Sequence, residues 1–280
     1  MLFSPRRADG HHDSGAAAAG SCYTFGMRIC RLEHAGAPRW GIIKDERIDL
    51  LRGDPFTEWT VTGEFVPLAG ARLLPPATPS KILAVGQNYR AHAAEMGKGI
   101  PDEPLLFLKP PSALLAPGAP IVRPAGYERV DYEGELCLVI GRRTRKVARE
   151  HALAHLLGYT ILNDVTVRDL QKKDVQFTRA KGFDTFAPLG PWIETDLDPG
   201  ALRIQTRVNG ELKQDGATDD LIFPVPDLVA FASRVMTLEP GDLFTTGTPK
   251  GVGQIRPGDV VEITIDGIGT LSNPVVGETG

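Results

Sequence analysis

The chain has 280 residues, and 31 Lys and Arg against 35 Asp and Glu give it a formal net charge of −4. This slightly acidic balance argues against nucleic acid as the main partner, which usually requires a strongly basic face. No apolar run approaches the roughly 20 residues that a membrane-spanning helix needs, so no membrane partner is expected. The 31 Gly and 23 Pro residues favour a turn-rich, β-rich chain over a helical bundle.

The three cysteines, Cys22, Cys30 and Cys137, lie far apart and form no CxxC pair. An odd and sparse cysteine count indicates a reducing compartment, so we expect a cytoplasmic protein without a disulfide framework. Cys137 lies inside an apolar run, and we interpret it as a small buried hydrophobic residue.

Three regions follow one another along the chain. Residues 1–26 are rich in Ala, Gly, Ser and charge, and the Arg6-Arg7 pair lacks the apolar segment of a twin-arginine signal, so we interpret this region as a disordered leader. Residues 27–78 contain short strand-like segments that end in a proline-rich connector, which predicts a small N-terminal β subdomain. Residues 79–276 form the predicted main domain.

The main domain opens with a short buried strand predicted over residues 81–85. A helix is expected from residue 89 to residue 96, where the side chain of Asn88 would cap its first turn. The strongest strand signal of the whole chain spans residues 131–141.

Further along, residues 150–157 are predicted to form a short helix that ends at Gly158. Asn209-Gly210 is the best hairpin turn signal in the chain. A second helix is predicted for residues 226–236, and the chain then returns to strands. Together these elements predict a mixed α+β fold that is mainly β.

Two glutamates stand out on the strand predicted over residues 131–141. Because side chains alternate with a period of two, Glu133 and Glu135 point to the same face, where their charges would repel. A solvated face of an edge strand would tolerate both charges. The apolar residues Cys137 and Val139 continue the same face, however, which favours an interior pocket. A divalent cation would then resolve the repulsion.

A third carboxylate, Asp164, ends the next predicted strand. Three carboxylates without a His or Cys partner favour a hard cation with oxygen ligands, Mg²⁺ before Mn²⁺ or Ca²⁺. Zinc is disfavoured because soft and imidazole ligands are missing.

The helix that follows residue 86 carries His92 and Glu95, three positions apart on one face. The carboxylate can accept a hydrogen bond from one imidazole nitrogen and orient the other, which is the minimum equipment for activating a water. A weak surface ion pair is the alternative interpretation of this spacing.

The loop 247–253 follows a predicted strand but lacks the P-loop pattern. Its backbone amides and the Thr248 hydroxyl could bind the carboxylate or carbonyl of a small acid, and a plain turn between strands is an equally good interpretation. Lys181 precedes an aromatic, strand-like segment; by residue type alone it would be a solvated surface lysine.

From about residue 80 to residue 274, the sequence resembles the fumarylacetoacetate hydrolase family. The resemblance is carried by several ordered motifs. These motifs are GQNYRAHAAEMG (86–97), DYEGELCLVIG (131–141), GYTILNDVTVRDLQ (158–171), RAKGFDTFAPLGP (179–191) and TGTPKGVG (246–253).

The resemblance implies a role for each matched position. The implied roles are a catalytic dyad at His92 and Glu95, metal ligands at Glu133, Glu135 and Asp164, an active-site lysine at Lys181, and substrate contacts at Gln171 and Thr248. It also implies a mixed β-roll with few helices, assembled as a homodimer.

The implied substrate is a small 2-oxo or 2,4-dioxo acid, cleaved at a C–C bond by Mg²⁺-dependent hydrolysis. Lys181 would add positive charge where the oxyanion or enolate develops. Isomerisation of a hydroxy-dienedioate and decarboxylation of an oxaloacetate-like acid suit the same machinery. A dimeric metal-binding module without catalysis is the alternative from another functional class.

Overall fold

The computed structural model describes residues 26–95, 97 and 99–279. The leader predicted over residues 1–26 lies outside these residues except for Gly26. Across the described ranges, the helices are all too short or too polar to cross a membrane.

The N-terminal part of the chain folds into antiparallel strands that pair in the order β4-β3-β2-β1, with β5 beside β1. The short strands predicted in this region are confirmed as β1, β2 and β3, whereas β4 is an addition. Its side chains are mostly exposed, so its sequence lacks a clear apolar alternation. The bounds are Arg28–His34 for β1, Ala37–Lys44 for β2, Arg47–Gly53 for β3, Trp59–Pro67 for β4 and Leu73–Leu74 for β5.

The rest of the chain is also mainly strands. Their bounds are Ile82–Gly86 (β6), Leu105–Lys109 (β7), Leu114–Leu115 (β8), Ile121–Arg123 (β9), Val130–Tyr132 (β10), Gly134–Ile140 (β11), Leu156–Asn163 (β12), Thr166–Val167 (β13), Ala187–Glu194 (β14), Arg203–Val208 (β15), Glu211–Ala217 (β16), Leu243–Thr245 (β17), Gly253–Gln254 (β18), Val260–Ile265 (β19) and Gly269–Gly277 (β20).

Short helices connect these strands. The α-helices are Arg90–Glu95 (α1), Arg168–Lys173 (α2), Thr178–Lys181 (α3) and Val225–Val235 (α4), and the 3₁₀ turns are Pro111–Ala113, Arg149–His151, Leu153–His155 and Thr218–Asp220.

One large sheet runs through the molecule in the order β4-β3-β2-β1-β14-β12-β11-β17-β6-β7. Strand β11 lies near its centre, antiparallel to β12 on one side and to β17 on the other. Every residue of β11 is buried, because the strand is covered on both faces. This explains its nearly continuous apolar sequence from Leu136 to Ile140, which a half-exposed strand would not have.

A second sheet packs beside the first in the order β16-β15-β19-β20-β9. The predicted hairpin at Asn209-Gly210 is confirmed: it joins β15 to β16, and both turn residues have positive φ, of 53° and 80°. That conformation matches the right-handed twist of the flanking strands. A short third sheet, β13-β10-β18, lies next to the ends of β11 and β12.

The helix predicted over residues 226–236 is confirmed as α4. The helix predicted over residues 150–157 is wrong: the segment forms two 3₁₀ turns, and strand β12 already begins at Leu156. The apolar residues Leu156 and Leu157 continue into the central sheet, where pairing with β11 outweighs the local helical preference of the alanines and leucines.

Helix α1 lies within the predicted range, of which Met96 is outside the described residues. Its predicted cap is wrong. The side-chain amide of Asn88 bonds instead to backbone groups of Phe223 and Thr246, and the carboxylate of Asp220 accepts from the amide of Ala91 in the first turn. The predicted fold class, mainly β with few helices, is confirmed.

Replacing Leu138 with Ala tests the central position of β11. The Leu138 side chain is fully buried, and its removal leaves a cavity that should cost about 3 kcal/mol of the free energy of unfolding. Urea unfolding followed by tryptophan fluorescence measures the loss. The control is Leu212→Ala at a position that is 42% exposed, where a loss below about 1 kcal/mol is expected. Equal losses at the two positions would contradict this packing.

Candidate active site

A cavity of about 470 Å³ opens where β6 and β12 end and β11 begins, close to α1, α2, α3 and the loop 247–253. The structure brings the predicted site residues to this one place. Those that line the cavity are His92, Glu133, Glu135, Asp164, Gln171, Lys181 and Thr248, and Glu95 is hydrogen-bonded to His92 behind them.

The three predicted ligand carboxylates form the floor of this cavity. One oxygen of each of Glu133, Glu135 and Asp164 lies within 4.8 Å of the others, and the three residues are 6%, 2% and 1% exposed. A solvated face for the two glutamates is therefore excluded. Glu133 lies between β10 and β11, where its backbone N–H donates to the Asn163 side chain and its carbonyl oxygen accepts from the N–H of Asp164.

Two buried lysines hold the carboxylates of this floor. Lys181 Nζ donates to Glu133 Oε2 at 2.8 Å, to Thr166 Oγ1 at 2.9 Å and to Asp164 Oδ2. Lys109 Nζ donates to Asp164 Oδ1 at 2.6 Å and to the carbonyl oxygen of Lys181 at 2.5 Å. Burial opposes the charge of Lys181, but the carboxylates of Asp164 and Glu133 outweigh it and raise the pKa of the ammonium.

An arginine pair extends this arrangement outward. Arg168 donates to Glu133 Oε1 at 2.5 Å and to Asp131 Oδ2 at 2.8 Å, and its Nη1 donates to Gln171 Oε1 at 2.8 Å. Asp131 in turn accepts two bonds from Arg129 Nε, at 2.9 and 3.1 Å. Cations and carboxylates therefore alternate from the floor of the cavity to its mouth.

Glu135 is the exception in this arrangement. No lysine, arginine or histidine of the described residues forms an ion pair with it; its Oε2 accepts from the N–H of Gly247 at 3.0 Å, and the Thr245 side chain also favours its ionised form. Burial, with the nearby charges of Asp164 and Glu133, raises its pKa well above the usual range. For Glu133 burial also favours the neutral form, but Arg168 and Lys181 overcome it and lower the pKa to about 2.

The donor set fits a divalent cation. All three groups offer carboxylate oxygen, the ligand type that Mg²⁺, Mn²⁺ and Ca²⁺ share. The uncompensated Glu135 carboxylate supplies the electrostatic reason, because a buried charge without a partner is costly and a cation at this point removes the cost. Glu133, Glu135 and Asp164 are the residues that would hold it.

The predicted dyad is present on α1. His92 Nδ1 lies 3.1 Å from Glu95 Oε2, and the His92 residue is 9% exposed. The Glu95 carboxylate also accepts from the N–H of Gly251 at 3.3 Å, so the loop 247–253 helps to hold it. In a neutral His92 ring with Glu95 as acceptor, the proton lies on Nδ1 and Nε2 keeps a lone pair.

The loop 247–253 is fixed by bonds to neighbouring strands. The Thr248 hydroxyl donates to the carbonyl oxygen of Gly134 and accepts from Gln214 Nε2, so its proton is already engaged. Gly251 requires glycine: its φ is +94°, and an added Cβ would lie 2.2 Å from the Lys213 carbonyl oxygen. Thr248 therefore lines the cavity and orients the loop.

Sequence reasoning missed Lys109, Arg168, Arg129 and Gln214. Arg168 carries the one available signal, because it lies three positions before Gln171 on the same helical face. Lys109 is the last residue of an apolar strand, and a lysine at such a position is usually exposed to solvent. Its partner Asp164 is 55 residues away, and local patterns do not reveal such a contact.

Comparison with known proteins places these features in a family. The profile of the fumarylacetoacetate (FAA) hydrolase C-terminal family matches residues 81–276, and that of the Rv2993c-like N-terminal family matches residues 27–76. Among curated relatives, oxaloacetate tautomerase YisK of Bacillus subtilis is 46% identical over 218 residues, covering 72% of this chain and 71% of that protein.

Solved structures give the same result. The crystal structure of 5-carboxymethyl-2-hydroxymuconate delta-isomerase from Mycobacterium smegmatis has a TM-score of 0.85 and 46% identity, covering 90% of this chain and all of that chain. Maleylpyruvate hydrolase from Sphingobium sp. SYK-6, solved with manganese (II) ion and pyruvate, has a TM-score of 0.76 and 34% identity, over 90% and 100% of the two chains.

The unequal compensation of the two glutamates predicts opposite effects on stability. Glu135→Gln removes a carboxyl group whose ionisation is opposed by burial and by the neighbouring carboxylates, so the metal-free protein should melt about 2–4 °C higher. Glu133→Gln leaves Arg168 and Lys181 facing a neutral group, which should cost about 3–5 kcal/mol. Differential scanning calorimetry in EDTA measures both changes.

The same scans with Mn²⁺ provide the second readout. The wild-type chain should melt higher with Mn²⁺, because the cation binds the folded state alone, and both variants should lose this increase. A Glu135→Gln variant that is destabilised without metal, or that keeps the full Mn²⁺ effect, would contradict the assignment.

Proposed function

Because the chain belongs to the fumarylacetoacetate hydrolase family, we propose that it is a divalent-metal-dependent enzyme that acts on a small 2-oxo acid. The observation that carries the proposal is the convergence of three buried carboxylates on the floor of a cavity whose wall holds a His–Glu dyad. We expect Mg²⁺ or Mn²⁺ as the cation. A homodimer in the cytoplasm remains our prediction.

A divalent cation bound by Glu133, Glu135 and Asp164 would act as a Lewis acid on the carboxylate and 2-oxo group of the substrate, and so favour the enolate. The protein adds a fixed charge of its own. Lys181 Nζ lies at hydrogen-bonding distance from Glu133 and Asp164, in a position to stabilise negative charge on the substrate's oxygen.

We assign proton transfer to His92. Glu95 holds the Nδ1 proton, so Nε2 is the basic atom of the ring, and His92 lines the cavity. Removal of a proton from the carbon next to the 2-oxo group, followed by its return, interconverts keto and enol forms or shifts a double bond. Relatives at 46% identity that are named as a tautomerase and an isomerase support this reaction.

Hydrolysis of a C–C bond in a 2,4-dioxo acid is the second candidate. His92 Nε2 would take a proton from water, the water oxygen would bond to the distal carbonyl carbon, and the C–C bond would break with its electron pair leaving as the enolate. The observation that favours it is the similarity to maleylpyruvate hydrolase, whose structure contains manganese and pyruvate. Both reactions use the same dyad and carboxylates.

His92→Gln tests the proton-transfer role. We expect a 10²- to 10⁴-fold lower kcat, the usual contribution of a general base, with the Mn²⁺-dependent rise in melting temperature unchanged. The assays are the enol-to-keto conversion of oxaloacetate, followed by ultraviolet absorbance, and the hydrolysis of acetylpyruvate. If the wild-type chain accelerates one of these two reactions and the variant does not, that reaction is the one that depends on His92.

The matched control is His151→Gln, because His151 is exposed and lies outside the cavity. Its rates should equal those of the wild-type chain, and EDTA should abolish activity in both. Wild-type rates in the His92 variant would remove the dyad from the mechanism. Metal-loaded protein that is inactive on both substrates would favour a binding module.

A further inference from the structure

The mouth of the cavity carries two cations, Arg129 and Lys172, that the proposed chemistry leaves without a role. Both line the cavity and both are exposed; the side chain of Arg129 keeps 52% of its accessible surface. The cavity thus has carboxylates on its buried floor and basic groups at its opening.

The Arg129 side chain is oriented by hydrogen bonds to Asp131. Its Nε donates to both oxygens of Asp131, a fully buried carboxylate that Arg168 also binds. Among the described residues, the Arg129 guanidinium forms hydrogen bonds to Asp131 alone, both from Nε. Its Nη1 and Nη2 groups are therefore available to a ligand. An arginine oriented in this way loses little side-chain freedom when it binds a carboxylate.

Charge balance points to the same ligand class. Asp131, Glu133, Glu135 and Asp164 are matched in number by Lys109, Lys181, Arg168 and Arg129 among the described residues of this cluster. A divalent cation on the floor adds two positive charges, and Lys172 adds one more at the mouth. A ligand with one carboxylate leaves an excess of positive charge, whereas a second carboxylate reduces it.

We propose that Arg129 and Lys172 form a second carboxylate site, which makes the enzyme selective for 2-oxo acids that carry a distal carboxylate. The proposal rests on the proposed function, because the first carboxylate and the 2-oxo group of the same ligand would occupy the floor. Arg129 supplies the larger part, since its planar guanidinium can bind both carboxylate oxygens, and exposed Lys172 adds a point charge.

A pair of stable five-carbon acids tests this selectivity on the full-length chain loaded with Mn²⁺. 2-Oxoglutarate and 2-oxopentanoate share the 2-oxo acid head, and only the former ends in a carboxylate. Isothermal titration calorimetry should give at least ten-fold tighter binding of 2-oxoglutarate. Arg129→Gln should lower this ratio to near one, and Lys172→Gln should lower it two- to five-fold. Arg129→Lys should retain part of the preference.

The matched control is Lys173→Gln, because Lys173 is an exposed neighbour that does not line the cavity, and its ratio should stay at the wild-type value. Equal affinity of the wild-type chain for the two acids would overturn the second site and leave the proposed function standing. An Arg129→Gln variant that weakens both acids equally, or neither, would also overturn it. Failure of both acids to bind in the presence of Mn²⁺ would overturn the proposed function as well.

Discussion

The need to compensate buried carboxylates shapes the centre of this protein. Removing a carboxylate from water is costly unless a cation or several hydrogen bonds replace the solvent. The fold therefore brings Lys109, Lys181 and Arg168 against Asp164 and Glu133, from elements that are distant in sequence. Glu135 alone of the three floor carboxylates lacks such a cationic partner, and a divalent cation bound beside it would supply the missing positive charge.

The surrounding architecture serves this arrangement. Strand β11 is buried on both faces and anchors the glutamates at its beginning, while β12 ends one residue before the third carboxylate. The loop 247–253 contacts both parts of the site, because Gly247 N–H binds Glu135 and Gly251 N–H binds Glu95. Tyr132 Oη and the Gln214 amide hold this loop from below. The His92–Glu95 pair and the acidic floor are thus held by the same segment.

Much of this could be predicted where the signal is local. The period of two identified Glu133 and Glu135 as neighbours, the His92–Glu95 spacing matched one helical face, and Asn209-Gly210 marked a hairpin. The prediction failed where tertiary contacts decide. Residues 150–157 have a helical composition, but pairing in the central sheet extends into this segment.

Polar contacts between residues that are distant in sequence could not be predicted either, because local patterns do not report tertiary contacts. Asn88 has the composition of a helix cap, but its amide binds groups more than 130 residues away. The contact between Lys109 and Asp164 spans 55 residues, and that between Lys181 and Glu133 spans 48. Because these pairs form only when the sheet is assembled, local sequence patterns show the carboxylates without showing which cations compensate them.

Anomalous diffraction from crystals grown with Mn²⁺ tests the central claim most directly. The account predicts one strong manganese peak on the floor of the cavity, bonded to a carboxylate oxygen from each of Glu133, Glu135 and Asp164. A cavity without a manganese peak, or a peak bound at another acidic cluster while Glu135 remains without a partner, would contradict it.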